Sequence, residues 1–199
     1  MLLPGGHAEC RQDHRLVGNA AGIKPQLLQT SANREFYDLN VYLNQLRCIA
    51  NLVDPSFQRV LRAPFAPLGA GAVFEPGPAK SSARCRAKAQ ADYAGCEWPT
   101  TAHLLDMVRC SVTFESAALL LEGLERLYSA AGRVGTAGGG SFEVARVKNG
   151  FAAGKGGYRD IKVNVVFLSD QGFAMIGEVR PGPGACKGHA RSCKHSYPR

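Results

Sequence analysis

The feature that most constrains the fold is a run of alternating apolar and polar residues between positions 158 and 180. Two segments with a period of two residues flank the short turn S-D-Q-G. Both are rich in β-forming residue types, so they predict neighbouring strands. One face of the first strand is apolar and is predicted to lie in the core: Ile161, Val163, Val165 and Phe167. The opposite face carries polar groups: Tyr158, Asp160, Lys162 and Asn164.

The polar face has two interpretations. Antiparallel sheets commonly expose one face to water, and polar residues there need no function. The preceding loop, K-N-G-F-A-A-G-K-G-G-Y, favours a binding site instead. Its glycines and lysines can bring backbone N–H groups and ammonium groups close to an anion.

The rest of the chain alternates between helical and strand patterns. The predicted helices span residues 31–53, ended by Pro55, then 81–93 and 116–131. The predicted strands span residues 108–114 and begin again at 142, and the Pro/Gly-rich stretch 62–78 is predicted to be a loop. This order predicts an α+β fold in which helices flank one mixed β-sheet. We expect one domain over residues 25–180, a loose leader over 1–24 and an irregular tail over 181–199.

The charge of the chain points to an anionic partner. The formal net charge is +8 in 199 residues, which favours a nucleotide, a nucleic acid or an acidic surface. Lys80, Arg84 and Lys88 recur every four residues, so they share one side of the second helix. That side is either a solvated basic face or a row of phosphate contacts.

The sequence also favours a cytoplasmic protein without a membrane segment. Its seven cysteines form no C-x-x-C pair, and the first residues, M-L-L-P-G-G-H, lack a basic region followed by a long apolar one. No apolar run approaches the roughly 20 residues that span a bilayer. Reduced thiols are therefore expected.

Four segments, taken in order, resemble the synthetase domain of RelA/SpoT-like proteins, which belong to the nucleotidyltransferase superfamily. They are K-S-S-A-R-C-R-A-K, L-L-D-M-V-R-C-S-V, V-K-N-G-F…G-G-Y-R-D and G-E-V-R, and they span about residues 80–180. The resemblance implies a nucleotidyltransferase-like fold. It also implies Mg²⁺-dependent transfer of pyrophosphate from ATP to the 3′-hydroxyl of a guanine nucleotide, which makes an alarmone.

The resemblance also implies roles for individual residues. Asp106 and Glu178 would be the catalytic carboxylates and the Mg²⁺ ligands, since two hard oxygen donors suit this ion. Tyr158 would stack on the acceptor base, and Lys148 would lie near the phosphates. The donor triphosphate would be neutralised by Lys80, Arg84 and Lys88. The expected nucleotide-binding set is completed by Arg146, Asp160 and Lys162.

The chain departs from the family pattern in ways that leave a second interpretation open. Asp160 and Lys162 stand where the family has Ser and His, and E-V-R-P-G-P replaces E-V-Q-I-R-T. Strand parity also places Asp106 on the side of Val108, so it reaches a metal only from the turn before the strand. The alternative is a non-catalytic nucleotide-binding or RNA-binding relative of the same fold. An unrelated basic interaction domain is the third interpretation.

Overall fold

The computed structural model describes Gln12 and residues 31–78, 80–133, 139–151 and 161–184. Its centre is a five-stranded sheet in the order β1-β2-β5-β4-β3. The strands are β1 (Ala72–Pro76), β2 (Arg109–Phe114), β3 (Ser141–Asn149), β4 (Ile161–Leu168) and β5 (Ala174–Pro183). β2 and β5 run parallel, and every other neighbouring pair is antiparallel. The predicted mixed sheet with flanking helices is therefore confirmed.

Four helices accompany the sheet. They are α1 (Ser31–Phe36), α2 (Leu43–Arg62), α3 (Ser82–Asp92) and α4 (Ala117–Ala130). A π-helical segment, Tyr37–Tyr42, joins α1 to α2, and short 3₁₀ helices lie at Ala63–Gly71 and Thr100–His103. Ser81 and Ser116 cap α3 and α4, because their side-chain oxygens accept from backbone N–H groups of the first turn.

Two predictions about the first half of the chain are wrong. The helix predicted to end before Pro55 runs on to Arg62 with this proline inside it. Pro55 lies on the exposed side, where the carbonyl group that it leaves unbonded can face water. The helix continues because its next turns bury Phe57 and Leu61 completely.

The predicted loop 62–78 contains a 3₁₀ helix and the edge strand β1. The sequence pattern of β1 is weak because the strand is short and largely exposed. Its proline, Pro76, is tolerated at an edge. At the other end of the domain, β5 continues to Pro183, paired with β2 as far as Phe114.

The predicted apolar face of β4 is buried as expected. Ile161, Val163, Val165 and Phe167 are between 0% and 9% exposed. Helices α2 and α4 pack on this side of the sheet. Phe57 of α2 meets Phe167 edge to face, with ring centroids 5.6 Å apart. The opposite face of the sheet stays free of these helices and carries the polar side chains.

Gln12 fills a gap beside β5. Its side-chain amide donates to the carbonyl oxygen of Ile176 and accepts from the N–H of the same residue, both at 2.8 Å. It is 2% exposed. The first residue of β2, Arg109, is level with Glu178, so Ile176 has no partner in β2. The two bonds from Gln12 pair the N–H and carbonyl groups of Ile176 instead. The remaining residues of 1–24, and all of 185–199, lie outside the described ranges.

Two further observations concern the predicted cellular setting. Within the described ranges, none of the helices has both the length and the apolar character that crossing a bilayer requires. The cysteines in those ranges are free thiols: Cys48, Cys85, Cys96 and Cys110.

Close packing between α2 and the sheet generates the first prediction. A Cβ added at Gly177 would lie 2.5 Å from the Phe57 ring and 2.9 Å from Val108. Gly177→Ala should therefore lower the free energy of unfolding by about 1–3 kcal/mol, the usual cost of overpacking a core. Gly95→Ala is the control, because a Cβ there meets nothing within 4 Å. Urea unfolding of both variants measures this, and equal stabilities would contradict it.

Candidate functional site

A basic cleft of about 720 Å³ lies between α3 and the β1-β2-β5 part of the sheet. Its wall contains five cationic side chains, Lys80, Arg84, Lys88, Arg109 and Arg180. Its acidic groups are Glu75 and Asp106. This excess of positive charge suits an anionic ligand, because charge of one sign in a concave surface concentrates the field.

Helix α3 and the residue before its cap supply three of these cations. Lys80 comes immediately before the Ser81 cap, and Arg84 and Lys88 follow at intervals of four residues. Cys85 and Ala89 turn the other side of the helix into the core. The structure therefore brings the three predicted phosphate-binding cations into the wall of one cleft.

Asp106 lies in the turn before β2, where the sequence required it to be if it were to face a ligand. Its carboxylate is buried, at 4% exposure for the residue, and it forms ion pairs with Lys80 and Lys88. The Lys88 ammonium lies 3.3 Å from each carboxylate oxygen. Burial alone would raise the pKa of Asp106. The hydrogen bond from Lys80 and the charge of Lys88 outweigh burial, so the pKa is lowered.

The two lysines respond differently to this environment. Burial lowers the pKa of Lys80, and the bond to Asp106 together with its charge offsets only part of that. Burial also acts to lower the pKa of Lys88, but the negative charges of Asp106, Tyr93 and Glu178 raise it overall. Both site carboxylates therefore act on the same ammonium group.

Glu178 belongs to a row of polar side chains that crosses the open face of the sheet. By register, Arg109 of β2 is level with Glu178 of β5, which is level with Asn164 of β4 and then with Arg146 of β3. Glu178 is 7% exposed and accepts a hydrogen bond from Arg180. The row brings the β5 carboxylate to the same face as the basic cleft.

Arg146 reaches this face because of a β-bulge. The register of β3 against β4 shifts between Val144 and Arg146, which turns Arg146 away from the core. Its guanidinium then donates two bonds to the side-chain oxygen of Asn164, at 3.0 and 2.9 Å. Asn164 is 1% exposed, and its amide nitrogen has no acceptor among the described residues.

An aromatic ring borders the same cluster. The Lys88 ammonium lies 5.8 Å from the centre of the Tyr93 ring, within the range of a cation–π contact. Burial raises the pKa of the Tyr93 phenol, with opposing contributions from Lys88 and Arg146. Tyr93 therefore lies between the α3 cations and the polar row of the sheet.

The other predicted nucleotide-binding residues are placed separately or not described. Lys148 and Lys162 lie opposite each other on β3 and β4, and neither is part of the cleft wall. Like charges directly opposite each other repel, so this pair would gain from a bound anion. Tyr158 and Asp160 lie outside the described residues, and their roles stay predictions.

Several polar residues at this site were missed by the sequence analysis. Arg109 and Arg180 line the cleft, and Asn164 was noted only as polar. Arg109 lies two residues before Ser111 on β2, and Arg180 lies two residues after Glu178 on β5. Each arginine therefore faces the same side of the sheet as that neighbour, and this alternation is the signal that could have indicated them. Tyr93 was also missed, although it ends the predicted helix 81–93 and lies five residues after Lys88.

Comparison with known proteins gives structural likeness only. No protein-family model matches the chain, and neither does any curated protein sequence. Among solved structures it is similar to small alarmone synthetase 1 from Bacillus subtilis, bound to its product pppGpp. The identity is 14% and the TM-score 0.51, over 71% of this chain and 72% of that chain. The chain therefore has a RelA/SpoT-like synthetase fold.

Two other solved structures give weaker likenesses. A Streptococcus mutans UA159 protein has 15% identity and a TM-score of 0.47, over 75% of this chain and 70% of that chain. A GTP pyrophosphokinase family protein from Streptococcus pneumoniae has 15% identity and a TM-score of 0.48, over 78% of this chain and 71% of that chain. At 14% identity, the likeness to the Bacillus subtilis synthetase establishes the fold of the chain and nothing about its reaction.

The buried ion pair of the basic cleft generates the second prediction. Asp106→Asn leaves the Lys80 ammonium buried without its counter-charge. The free energy of unfolding at pH 7 should fall by roughly 3 kcal/mol, the low end for a broken buried pair, since Lys88 stays partly exposed. Replacing both partners, in Lys80→Met/Asp106→Asn, should restore most of the loss.

Glu122→Gln provides the control, because Glu122 pairs with Arg126 at 2.9 Å on the exposed side of α4. Such a pair contributes only about 0.3–0.5 kcal/mol. Urea unfolding of the four proteins gives the comparison. A double variant as unstable as Asp106→Asn would show that the cost does not come from the unpaired lysine.

The lowered pKa of Asp106 generates a third prediction, on pH dependence. A carboxyl group whose pKa is lower in the folded than in the unfolded chain stabilises the fold above its unfolded pKa, about 3.9. This contribution is lost as the pH falls through the folded value. The stability difference between the parent and Asp106→Asn should stay constant from about pH 7 to 5 and shrink below about pH 4. A difference that is unchanged at pH 3 would refute the ion pair.

Proposed function

We propose that the chain is a divergent Mg²⁺-dependent nucleotide pyrophosphotransferase, with ATP as donor and a guanine nucleotide or another hydroxyl compound as acceptor. The observation that carries the proposal is the meeting of two chemistries on one face of the sheet. Asp106 pairs with Lys80 and Lys88 in the wall of a basic cleft, while Glu178 pairs with Arg180 of the same wall and lies level with Arg109 on the neighbouring strand.

The cleft cations would bind the donor. Transfer of phosphoryl groups depends mainly on positioning and on stabilising negative charge, so a catalyst needs converging cations more than a nucleophile. Lys88 and Arg180 are 30% and 29% exposed and can reach a ligand, and Arg84 is exposed. A triphosphate is the ligand whose charge best matches this set.

Asp106 and Glu178 would hold Mg²⁺ together with oxygen ligands supplied by the phosphates of the substrate. The described ranges contain no group of three or more His, Cys, Asp or Glu side chains able to hold a metal. Mg²⁺ is commonly held by one or two carboxylates with water molecules and substrate phosphates, so these two suffice with a nucleotide present. The ion would neutralise phosphate oxygens and orient the transferred group.

The acceptor would lie toward the other edge of the sheet. The loop that carries Tyr158 and Asp160 connects β3 to β4, and Lys148 and Lys162 mark the strand ends where it begins and finishes. In this proposal Tyr158 stacks on the acceptor base, while the two lysines attract its phosphates. Arg146 and Asn164 would then lie between the acceptor and Glu178.

One observation favours the second candidate, a non-catalytic nucleotide-binding or RNA-binding relative. Each proposed metal ligand is already neutralised by a neighbouring cation, Asp106 by two lysines and Glu178 by Arg180. A protein that only binds anions can keep such pairs permanently. A transferase must release them during each cycle.

The fourth prediction separates the two candidates. Radiolabelled ATP is incubated with Mg²⁺ and a panel of guanine nucleotides, and the products are separated by chromatography. The parent should form a pyrophosphorylated acceptor. Glu178→Gln should reduce its formation by about 10²–10³-fold, the usual loss when one group that stabilises transition-state charge is removed.

Arg133→Ala controls for the loss of a charge away from the cleft, since Arg133 is exposed at the end of α4. It should leave product formation unchanged. An active parent whose Glu178→Gln variant keeps full activity would remove Glu178 from the mechanism. A parent that binds ATP yet transfers nothing to any acceptor would establish the second candidate.

A further inference from the structure

Building on the proposed function, we propose that Lys80 keeps the divalent-cation site of the free protein closed. A metal ion would bind Asp106 only after the phosphates of a nucleotide have drawn this lysine away. The nucleotide and the metal would then bind in a fixed order, or at least strengthen each other strongly.

The geometry at Asp106 carries the first step. Lys80 contacts one carboxylate oxygen directly, and the Lys88 ammonium lies 3.3 Å from both oxygens. Lys80 is 9% exposed and Asp106 4%, so their contact is shielded from water. A divalent cation approaching this carboxylate would meet two positive charges that already occupy its ligand atoms. Such repulsion is strong where water does not screen it.

The second step is that the same cations face the ligand. Lys80, Lys88 and Arg180 all belong to the wall of the basic cleft, and between them they hold Asp106 and Glu178. A polyphosphate entering the cleft competes with the carboxylates for these three side chains. Each cation that turns to a phosphate frees a carboxylate oxygen for a metal, and the phosphate offers the metal further oxygens.

Lys80 can exchange one partner for the other without leaving the site. It contacts Asp106 and also belongs to the wall of the large cleft, so a change of rotamer can move its ammonium from the carboxylate to a phosphate bound in the cleft.

Such a device predicts reciprocal coupling. If a nucleotide opens the metal site, the metal must strengthen nucleotide binding by the same factor. Coupling between two ligands is typically about 5–150-fold. The chain would then avoid holding a bare metal ion in the absence of substrate.

The test removes Lys80 and asks whether the site opens without any nucleotide. Mn²⁺ replaces Mg²⁺ as the probe, because the electron paramagnetic resonance signal of free Mn²⁺ reports how much is bound. The parent, Lys80→Met and Arg84→Met are titrated in nucleotide-free buffer. Arg84→Met removes the same charge from the same cleft, and Arg84 has no ion pair with Asp106 among the described contacts.

We expect one Mn²⁺ to bind Lys80→Met at least about tenfold more tightly than the parent, within the usual range of such couplings. Arg84→Met should resemble the parent, and Lys80→Met/Asp106→Asn should lose the gain. Equal affinity of the parent and Lys80→Met would overturn the proposal. Equal gains in Lys80→Met and Arg84→Met would also overturn it, because they would reflect bulk charge only.

Folding is checked by thermal melting, with Lys80→Gln as a second variant should Lys80→Met be unstable. A separate titration of a non-hydrolysable ATP analogue in the presence of EDTA tests whether the cleft binds nucleotide at all. Failure of that titration would count against the proposed function. The Mn²⁺ comparison would still decide whether Lys80 closes the metal site.

Discussion

The parallel pairing of β2 with β5 is the constraint on which the rest of the site depends. It sets Arg109 level with Glu178, so the turn that carries Asp106 comes immediately before the point where β2 begins to pair with β5. These two carboxylates are far apart in sequence and no local structure could bring them together. The N-terminal part of β5 extends beyond β2, and there Gln12 bonds to the backbone N–H and carbonyl groups of Ile176, which β2 does not reach. Moving the register by one residue would turn Glu178 into the core.

Burying Asp106 required compensating charge, and the compensation determines the chemistry of the cleft. An unpaired carboxylate at this depth would take up a proton, but two ammonium groups keep it charged and lower its pKa. Lys80, Lys88 and Asp106 together nevertheless carry a net positive charge. Burial disfavours this charge and lowers the pKa of Lys80, and the neighbouring charge of Lys88 lowers it further. The three side chains therefore retain an excess of positive charge, which in our proposal attracts the anionic ligand. A phosphate ligand would supply the missing negative charge and release the carboxylate together.

Periodicity predicted the parts of the fold whose one face is buried and whose other face is polar. That was enough for β4, β5, α3 and α4, and for placing Lys80, Arg84 and Lys88 on one side of a helix. It failed at Pro55, where tertiary burial of the following residues outweighs a local helix-breaking preference. It failed at β1, whose exposed edge shows no alternation. Periodicity also gives no account of Arg146, because a bulge that sequence patterns do not reveal turns it to the open face.

The placement of Asp106 shows why the candidate site is harder to read than the fold. Strand parity alone assigns this residue to the core side of β2, where an ionised carboxylate would be unfavourable. In the structure the strand begins only at Arg109, so Asp106 lies in the preceding turn and is not bound by that parity. Its partners are Lys80, which precedes α3, and Lys88 within it, and the sequence analysis assigned both to phosphates without connecting either to Asp106. Lys80 directly precedes Ser81, the residue that caps α3, so the backbone position from which the Lys80 side chain extends is fixed by the helix. From that point its ammonium contacts Asp106. In our proposal a phosphate in the cleft competes for the same ammonium, and the balance between those two partners decides whether a metal ion can reach the carboxylate.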